Sequence, residues 1–301
     1  MYVMLKTMGD VIVSTTICKE LRKEYPGCEI HFYTNRPYGQ LLRNNPDIAE
    51  VHELSEWDLN TLYMEAVSDR YDEAFLPIQV RGECNMWHQT EEFRHQHLVD
   101  FYWKRMGMHR QIEERECYLY PSTKDYEKAG DHISLDAPRI AVHANTLVET
   151  KNWPYFKELV EEMRKEGYGC VQVGDSKDTR IPGAIDLRGK MSLLELAAFL
   201  SRCVAFVGLD SGISYMADAM KIPTVIIQGS TSPVTSGPIS SRVIHLFAEK
   251  TGYDDCQQIR CHTNCRHEVN CITRIKPAMV VEKITALLNK LSEPVPVGVE
   301  P

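Results

Sequence analysis

Four groups of residues in this 301-residue chain could do chemistry. The turn "TMGD" sets Gly9 and Asp10 between a short apolar run and a helix-like segment. A carboxylate there could take a proton from an attacking hydroxyl, or it could cap the helix whose free N–H groups it faces. "HANTLVETKNWP" offers Asn145, Thr146 and Lys151, amide, hydroxyl and ammonium donors that suit a pyrophosphate. "GLDSGISYMADAM" delivers Asp210, Ser211 and Gly212 to the start of a helix, where unpaired amides and the helix dipole form an anion site. Gly212 lets a ligand approach the backbone and Ser211 adds a hydroxyl. Asp210 would repel phosphate, so it suits sugar hydroxyls or the cap. "GSTSP" (229–233) makes a second turn aimed the same way.

The fourth group is cysteine-rich. Cys256, Cys261, Cys265 and Cys271 follow the spacing C-x4-C-x3-C-x5-C. Tetrahedral zinc takes four thiolate or imidazole ligands, and short loops help them converge. The paired x2 spacing is absent, and His262 or His267 could replace one cysteine. Metal binding, one or two disulfides, and unligated surface thiols are the three readings. In a reducing compartment the first is favoured. Such a metal would be structural, because protein ligands fill every position. The other six of the ten cysteines are scattered, and Cys170 and Cys203 sit in apolar runs as small core residues.

Strand–helix alternation must position these groups. "YVMLK", "EIHFYTN" and "EAFLPIQV" read as strands, with "VIVSTTICKELRKEYPG" a helix ended by Pro26-Gly27 and a further helical stretch around 58–69. Leu98, Tyr102 and Met106 recur at helical spacing. A polar stretch, 122–138, reads as an inter-domain linker. A second alternation follows, with strands at "RIAVHAN", "GCVQVGD", "AFVGLD" and "TVIIQGS" and a last helix "PAMVVEKITALLNKLS". The pattern predicts an α/β protein of two Rossmann-like domains facing each other across a cleft. Domain ranges are 1–135, 136–276 with the cysteine cluster at its end, and a final helix over 277–292 that returns towards the first domain. Ligands of open α/β sheets bind beyond the carboxyl ends of the strands, where all three polar loops fall. No GxGxxG occurs, which argues against a nicotinamide dehydrogenase.

The net charge is −8, and acidic residues outnumber basic ones only as far as Asp131. An acidic first half excludes the broad basic face that drives nucleic-acid affinity. No window approaches a transmembrane span, and the first residues lack a signal-peptide pattern, so the expectation is a cytoplasmic protein. The locally basic segment near 260–276 leaves room for peripheral contact with an anionic membrane.

Taken in order, "MGDVIVSTT", "LRKEYPGCEI", "NNPDIAEV", "KNWP", "DLRGKMSLLELAAFLSRC" and "DSGISYMADAMKIPTVIIQGSTSP" resemble glycosyltransferase family 9, the heptosyltransferase-like enzymes with the GT-B fold. The resemblance spans nearly the whole chain. It implies inverting transfer of a sugar, heptose or related, from a nucleotide-diphosphate sugar to the hydroxyl of a glycan or other acceptor. By motif position it makes Asp10 the general base, with Gly9 beside it, and Lys151 and Thr146 the donor-phosphate loop. Asp210, Ser211 and Gly212 become the donor contact. Lys190, Met191 and Ser192 line the nucleotide pocket, with Met191 against the base. Asp175 and Asp178 are candidates for the ribose. No Asp-x-Asp occurs, so the implied transfer needs no divalent ion or other cofactor. Tyr215 stands where the family has His, so the resemblance reaches a nucleotide-diphosphate sugar without naming the sugar. A nucleotide-sugar-binding protein without transfer activity, or a GT-B epimerase, are the alternatives. Some family members carry late cysteine clusters, one branch with iron, so zinc or iron are the implied metals. Acceptor candidates are Arg81, Trp87, His88, His95 and His97.

Overall fold

The computed structural model describes residues 1–54, 64–65, 68–77, 95–132, 138–247 and 270–292. The first half is built on a parallel sheet, β1 (Tyr2–Met4), β2 (His31–Asn35) and β3 (Glu50–Leu54), in that order. Phe75 bridges the free side of β1 through Tyr2, so the "EAFLPIQV" run contributes a parallel contact there. β3 was not among the strands read from sequence, because the charged "EVHEL" carries no long apolar run.

Between β1 and β2 runs α1 (Met8–Glu24). Its first three turns are buried nearly all round, from Val11 to Cys18, the signature of a helix covered on both sides. The buried hydroxyls stay paired, Ser14 donating to the Asp10 carbonyl, Thr15 to Ile12 and Thr16 to Glu116 across the fold. α2 (Leu98–Arg105) buries Leu98, Val99, Phe101, Tyr102 and Trp103, as the helical spacing predicts. The polar stretch read as a linker is instead α3 (Thr123–Asp131), opened by a capping box in which Ser122 and Asp125 satisfy each other's backbone donors. The expected boundary at 135/136 falls in residues 133–137, outside the described ones.

The second half holds β4 (Arg139–His143), β5 (Gly169–Gln172), β6 (Ile185–Asp186), β7 (Ala205–Leu209), β8 (Thr224–Gln228) and β9 (Val243–Phe247), paired in the order β6-β5-β4-β7-β8-β9. All pairs are parallel. Helices α4 (Phe156–Lys165), α5 (Leu193–Leu200), α6 (Gly212–Ala219), a short α7 (Asn270–Thr273) and α8 (Pro277–Ser292) complete it. Fully buried β7 and β8 explain the uninterrupted apolar runs "AFVGL" and "TVII". Cys170 and Cys203 are buried as expected, and burial pushes their thiols up to about 11 and about 12. The last helix departs from expectation. Val280, Ile284 and Leu287 are buried with Leu159 and Met163 in the second half's own core, because α8 lays its apolar face on α4 instead of the first half.

One apolar core crosses between the halves, joining Ile12, Ile17 and Tyr102 to Phe199, Phe206, Ile213 and Met216. Among the described residues no helix is long and apolar enough to cross a membrane.

Candidate active site

The second sheet reverses direction between β4 and β7, where β5 and β6 extend one way and β8 and β9 the other. A crevice opens at such a switch point, beyond the carboxyl ends of the two central strands. His143 ends β4, in register with Gly208 of β7, and Asp210, Ser211 and Gly212 follow β7 directly into α6. The loops read from sequence as phosphate-binding therefore converge here.

Lys151 ends a 3-10 turn (Glu149–Lys151), and its Nζ lies 3.0 Å from Asp210 Oδ2. Asp210 is buried and also accepts from Ser236 Oγ at 3.1 Å. Burial would raise its pKa, but Lys151 and its hydroxyl donors outweigh this and hold the carboxyl below the usual carboxylate range. Asp210 thus anchors Lys151. An ammonium has three protons, so those not given to Asp210 remain for a ligand phosphate. Thr150 Oγ1 lies 3.0 Å from Ser230 Oγ, which ties this loop to the "GSTSP" turn. Thr146 does less than its motif position implies. Its hydroxyl donates to Val148 O at 2.9 Å and its amide to Asn152 Oδ1 at 2.9 Å, so it closes the loop on itself. Met191 stands just before α5, half-buried against the shared core.

His143 was missed in the sequence, although it ends the strand "RIAVH" on the same sheet edge. Its Nδ1 lies 3.2 Å from Ser211 Oγ, and its Nε2 lies 3.5 Å from Asp178 Oδ2. Asp178 also accepts from Asp175 N, and Thr179 N donates to Asn145 Oδ1, so the loop after β5 is laced to the loop after β4. A neutral His143 with its proton on Nε2 accepts the Ser211 hydroxyl proton at Nδ1.

Gly9 and Asp10 lie inside the first turn of α1, not before it; Thr7 is the cap residue. Asp10 Oδ2 accepts from Thr7 N at 3.0 Å and Thr7 Oγ1 at 2.7 Å, so the capping role is real. Its other oxygen accepts from Tyr102 Oη at 2.5 Å. Burial pushes the Tyr102 phenol well above its ordinary pKa, with Asp10 adding to the effect, so Tyr102 stays a donor. No local signal joined these two residues. The N-termini of α1 and α6 abut: a Cβ on Gly212 would stand 3.0 Å from Gly9 N, and one on Gly9 3.6 Å from Gly212 Cα. Glycine at 212 lets the two helix ends meet, since a Cβ there would press on Met8 Cβ at 2.9 Å as well, whereas one on Gly9 would make only ordinary contacts.

Tyr215 packs its ring against Gly9, and its hydroxyl accepts from Gly237 N at 2.6 Å. His97 is not in an acceptor pocket. It is buried as the cap of α2, with Nδ1 accepting from Val99 N and Nε2 donating to Gly237 O at 2.9 Å. His95 is exposed beside it. Arg81, Trp87, His88, Cys256, Cys261 and Cys265 lie outside the described residues. Cys271 is buried in the second half's apolar core.

The architecture has solved counterparts. The E. coli ADP-heptose lps heptosyltransferase II superposes with a TM-score of 0.75 at 19% identity, covering 97% of this chain and 99% of that one. The iron-containing dodecameric glycosyltransferase TibC of enterotoxigenic E. coli H10407 gives 0.72 at 17%, covering 97% and 76%. The fold is therefore GT-B, two Rossmann-like halves around a cleft. In sequence, lipooligosaccharide heptosyltransferase 2 of Haemophilus influenzae is 22% identical over 94% of this chain and 97% of its own. Residues 57–267 match the profile of glycosyltransferase family 9 (heptosyltransferase), and the chain belongs to that family. It is a glycosyltransferase.

Proposed function

We propose that this enzyme transfers a heptose or closely related sugar from an ADP-linked donor to a glycan hydroxyl, with inversion and without a catalytic metal, in the cytoplasm. The similar proteins named above are heptosyltransferases, one of them for ADP-heptose, which supports the donor class. Asp10 is the general base. It accepts the proton of the acceptor hydroxyl as that oxygen bonds to the anomeric carbon, while the bond from that carbon to the diphosphate oxygen breaks. Lys151 and the amides opening α6 receive the departing negative charge, a helix N-terminus and an ammonium being suited to a diphosphate. Tyr102 and Thr7 hold the Asp10 carboxylate in place. Ser211, positioned by His143, and Gly212 contact the donor, and Met191 contacts the base.

The observation that supports this reading is the abutment of α1 and α6 at Gly9 and Gly212, which brings the turn carrying Asp10 beside the helix end proposed to bind the diphosphate. Asp10→Asn keeps the shape and the Thr7 contacts but removes the basic site. Its kcat is expected to fall about 10²–10⁴-fold while ADP affinity by calorimetry stays within about twofold. Wild-type turnover in this variant would end the assignment.

The cysteine cluster is proposed as a structural clasp holding zinc or iron, supported by its spacing and by the iron-containing TibC. Cys271 lies in the second core, so its side chain would draw the 256–265 segment onto that core. Metal analysis of protein purified without added ions checks it; a stoichiometry near zero rejects it.

A further inference from the structure

A separate group of ligands lies on the first sheet. His31 opens β2 and Glu50 opens β3, paired in register, and His52 follows Glu50 by two residues, so it shares its face of the sheet. His31 Nδ1 lies 3.3 Å and His52 Nε2 3.6 Å from the same oxygen, Glu50 Oε2. Three ligand atoms around a tetrahedral metal with bonds of about 2.1 Å are separated by about 3.4 Å. The three here all lie within 4.8 Å of one another, with two of the separations at that spacing.

The imidazoles are held in place by their surroundings. Tyr33 stacks on His52 with centroids 4.3 Å apart and planes 11° off parallel, and the His31 ring stacks on His52 at 5.7 Å. Tyr71 Oη, 3.2 Å from His31 Nδ1, is itself 2.7 Å from Tyr33 Oη, and Tyr33 donates to Glu65. His52 Nε2 is buried and makes no hydrogen bond. A buried ring nitrogen without a hydrogen-bonding partner is costly, and a cation at the centre of the three groups would satisfy it. One divalent cation serves both rings and the carboxylate.

We propose that His31, Glu50 and His52 bind a divalent transition-metal cation, zinc by preference for two imidazoles and a carboxylate. The site lies at the amino ends of β2 and β3, whereas the reaction cleft lies at the carboxyl end of β1, where α1 begins. Three protein ligands leave the fourth position to water; the ion ties the outer strand β3 to β2 and is independent of the transfer chemistry and of the cysteine cluster.

Cobalt distinguishes the two kinds of site in the full chain. Co²⁺ on thiolates shows an intense near-ultraviolet charge-transfer band, and Co²⁺ on nitrogen and oxygen shows only visible d–d bands. Chelator-stripped protein is expected to take up one equivalent of Co²⁺ lacking the thiolate band, displaceable by Zn²⁺. In His52→Ala and in Glu50→Gln that equivalent should weaken by at least about tenfold, since each loses one of three protein ligands. Glu50 is 53% exposed, so Glu50→Gln keeps the fold if His52→Ala does not. Bound cobalt that all carries the thiolate band, or an unchanged equivalent in Glu50→Gln, would overturn the proposal.

Discussion

Ser211 shows how a single hydroxyl is aimed. It opens α6, and its oxygen shares a proton with His143, which Asp178 backs from the other side of the ring. The proposed donor contact therefore depends on two residues that touch no phosphate themselves. His143→Ala removes one hydrogen bond and frees the Ser211 rotamer, a loss of about 1.4 kcal/mol if the bond is charge-assisted in the complex. ADP Kd should rise about tenfold with kcat near wild type. An unchanged Kd would leave His143 a packing residue. Tyr215, by contrast, spends its hydroxyl on Gly237 N and its ring on Gly9, so both ends of its side chain are committed to packing.

At the scale of elements, α2 is capped across the fold. His97 caps α2 through Nδ1 and reaches Gly237 through Nε2, and Leu98 N donates to Thr235 O. The loop that carries Ser236 to Asp210 is thus pinned by a helix of the first half. Burial lowers the His97 pKa below its ordinary value, although the Gly237 bond opposes this. A proton on Nδ1 would face the Val99 amide and break the cap. The unfolded chain binds that proton first, near pH 6.5, so this contribution is intact above pH 6.5 and is lost as pH falls towards the lowered folded value. Stability should decline from pH 7 to pH 5 by thermal melts, and His97→Gln should decline less steeply. Parallel pH slopes for the two proteins would assign the decline to other groups.

For the whole molecule, the two halves share an apolar core through α1, α2, α5 and α6. Ion pairs rim the contact: Glu116 meets Lys221 and Arg242, both at 2.6 Å, and Lys128 meets Glu195 at 2.6 Å. Exposed pairs add little, so the shared core dominates the coupling. Calorimetry should show one unfolding endotherm with calorimetric and van't Hoff enthalpies near equality. Two resolved transitions, one per Rossmann-like half, would show that the halves unfold independently.

Local chemistry made much of this legible in the sequence. Apolar runs such as "AFVGL" and "TVIIQ" specify strands buried on both faces, and "LDSGISYMADAM" specifies a strand feeding a helix N-terminus. Those signals lie within a few residues, and period and turn chemistry act over that range. The partners were not legible. Asp10 and Tyr102 are far apart in the chain, as are His143, Asp178 and Ser211, and no spacing relates them. They meet because α2 packs against α1 and because strand order puts β4 between β5 and β7. The sequence by itself determined the alternating elements and which polar loops follow the strand ends. The tertiary structure alone decided which side chain each candidate meets, because a hydrogen bond needs two groups within about 3 Å and only the fold brings them there.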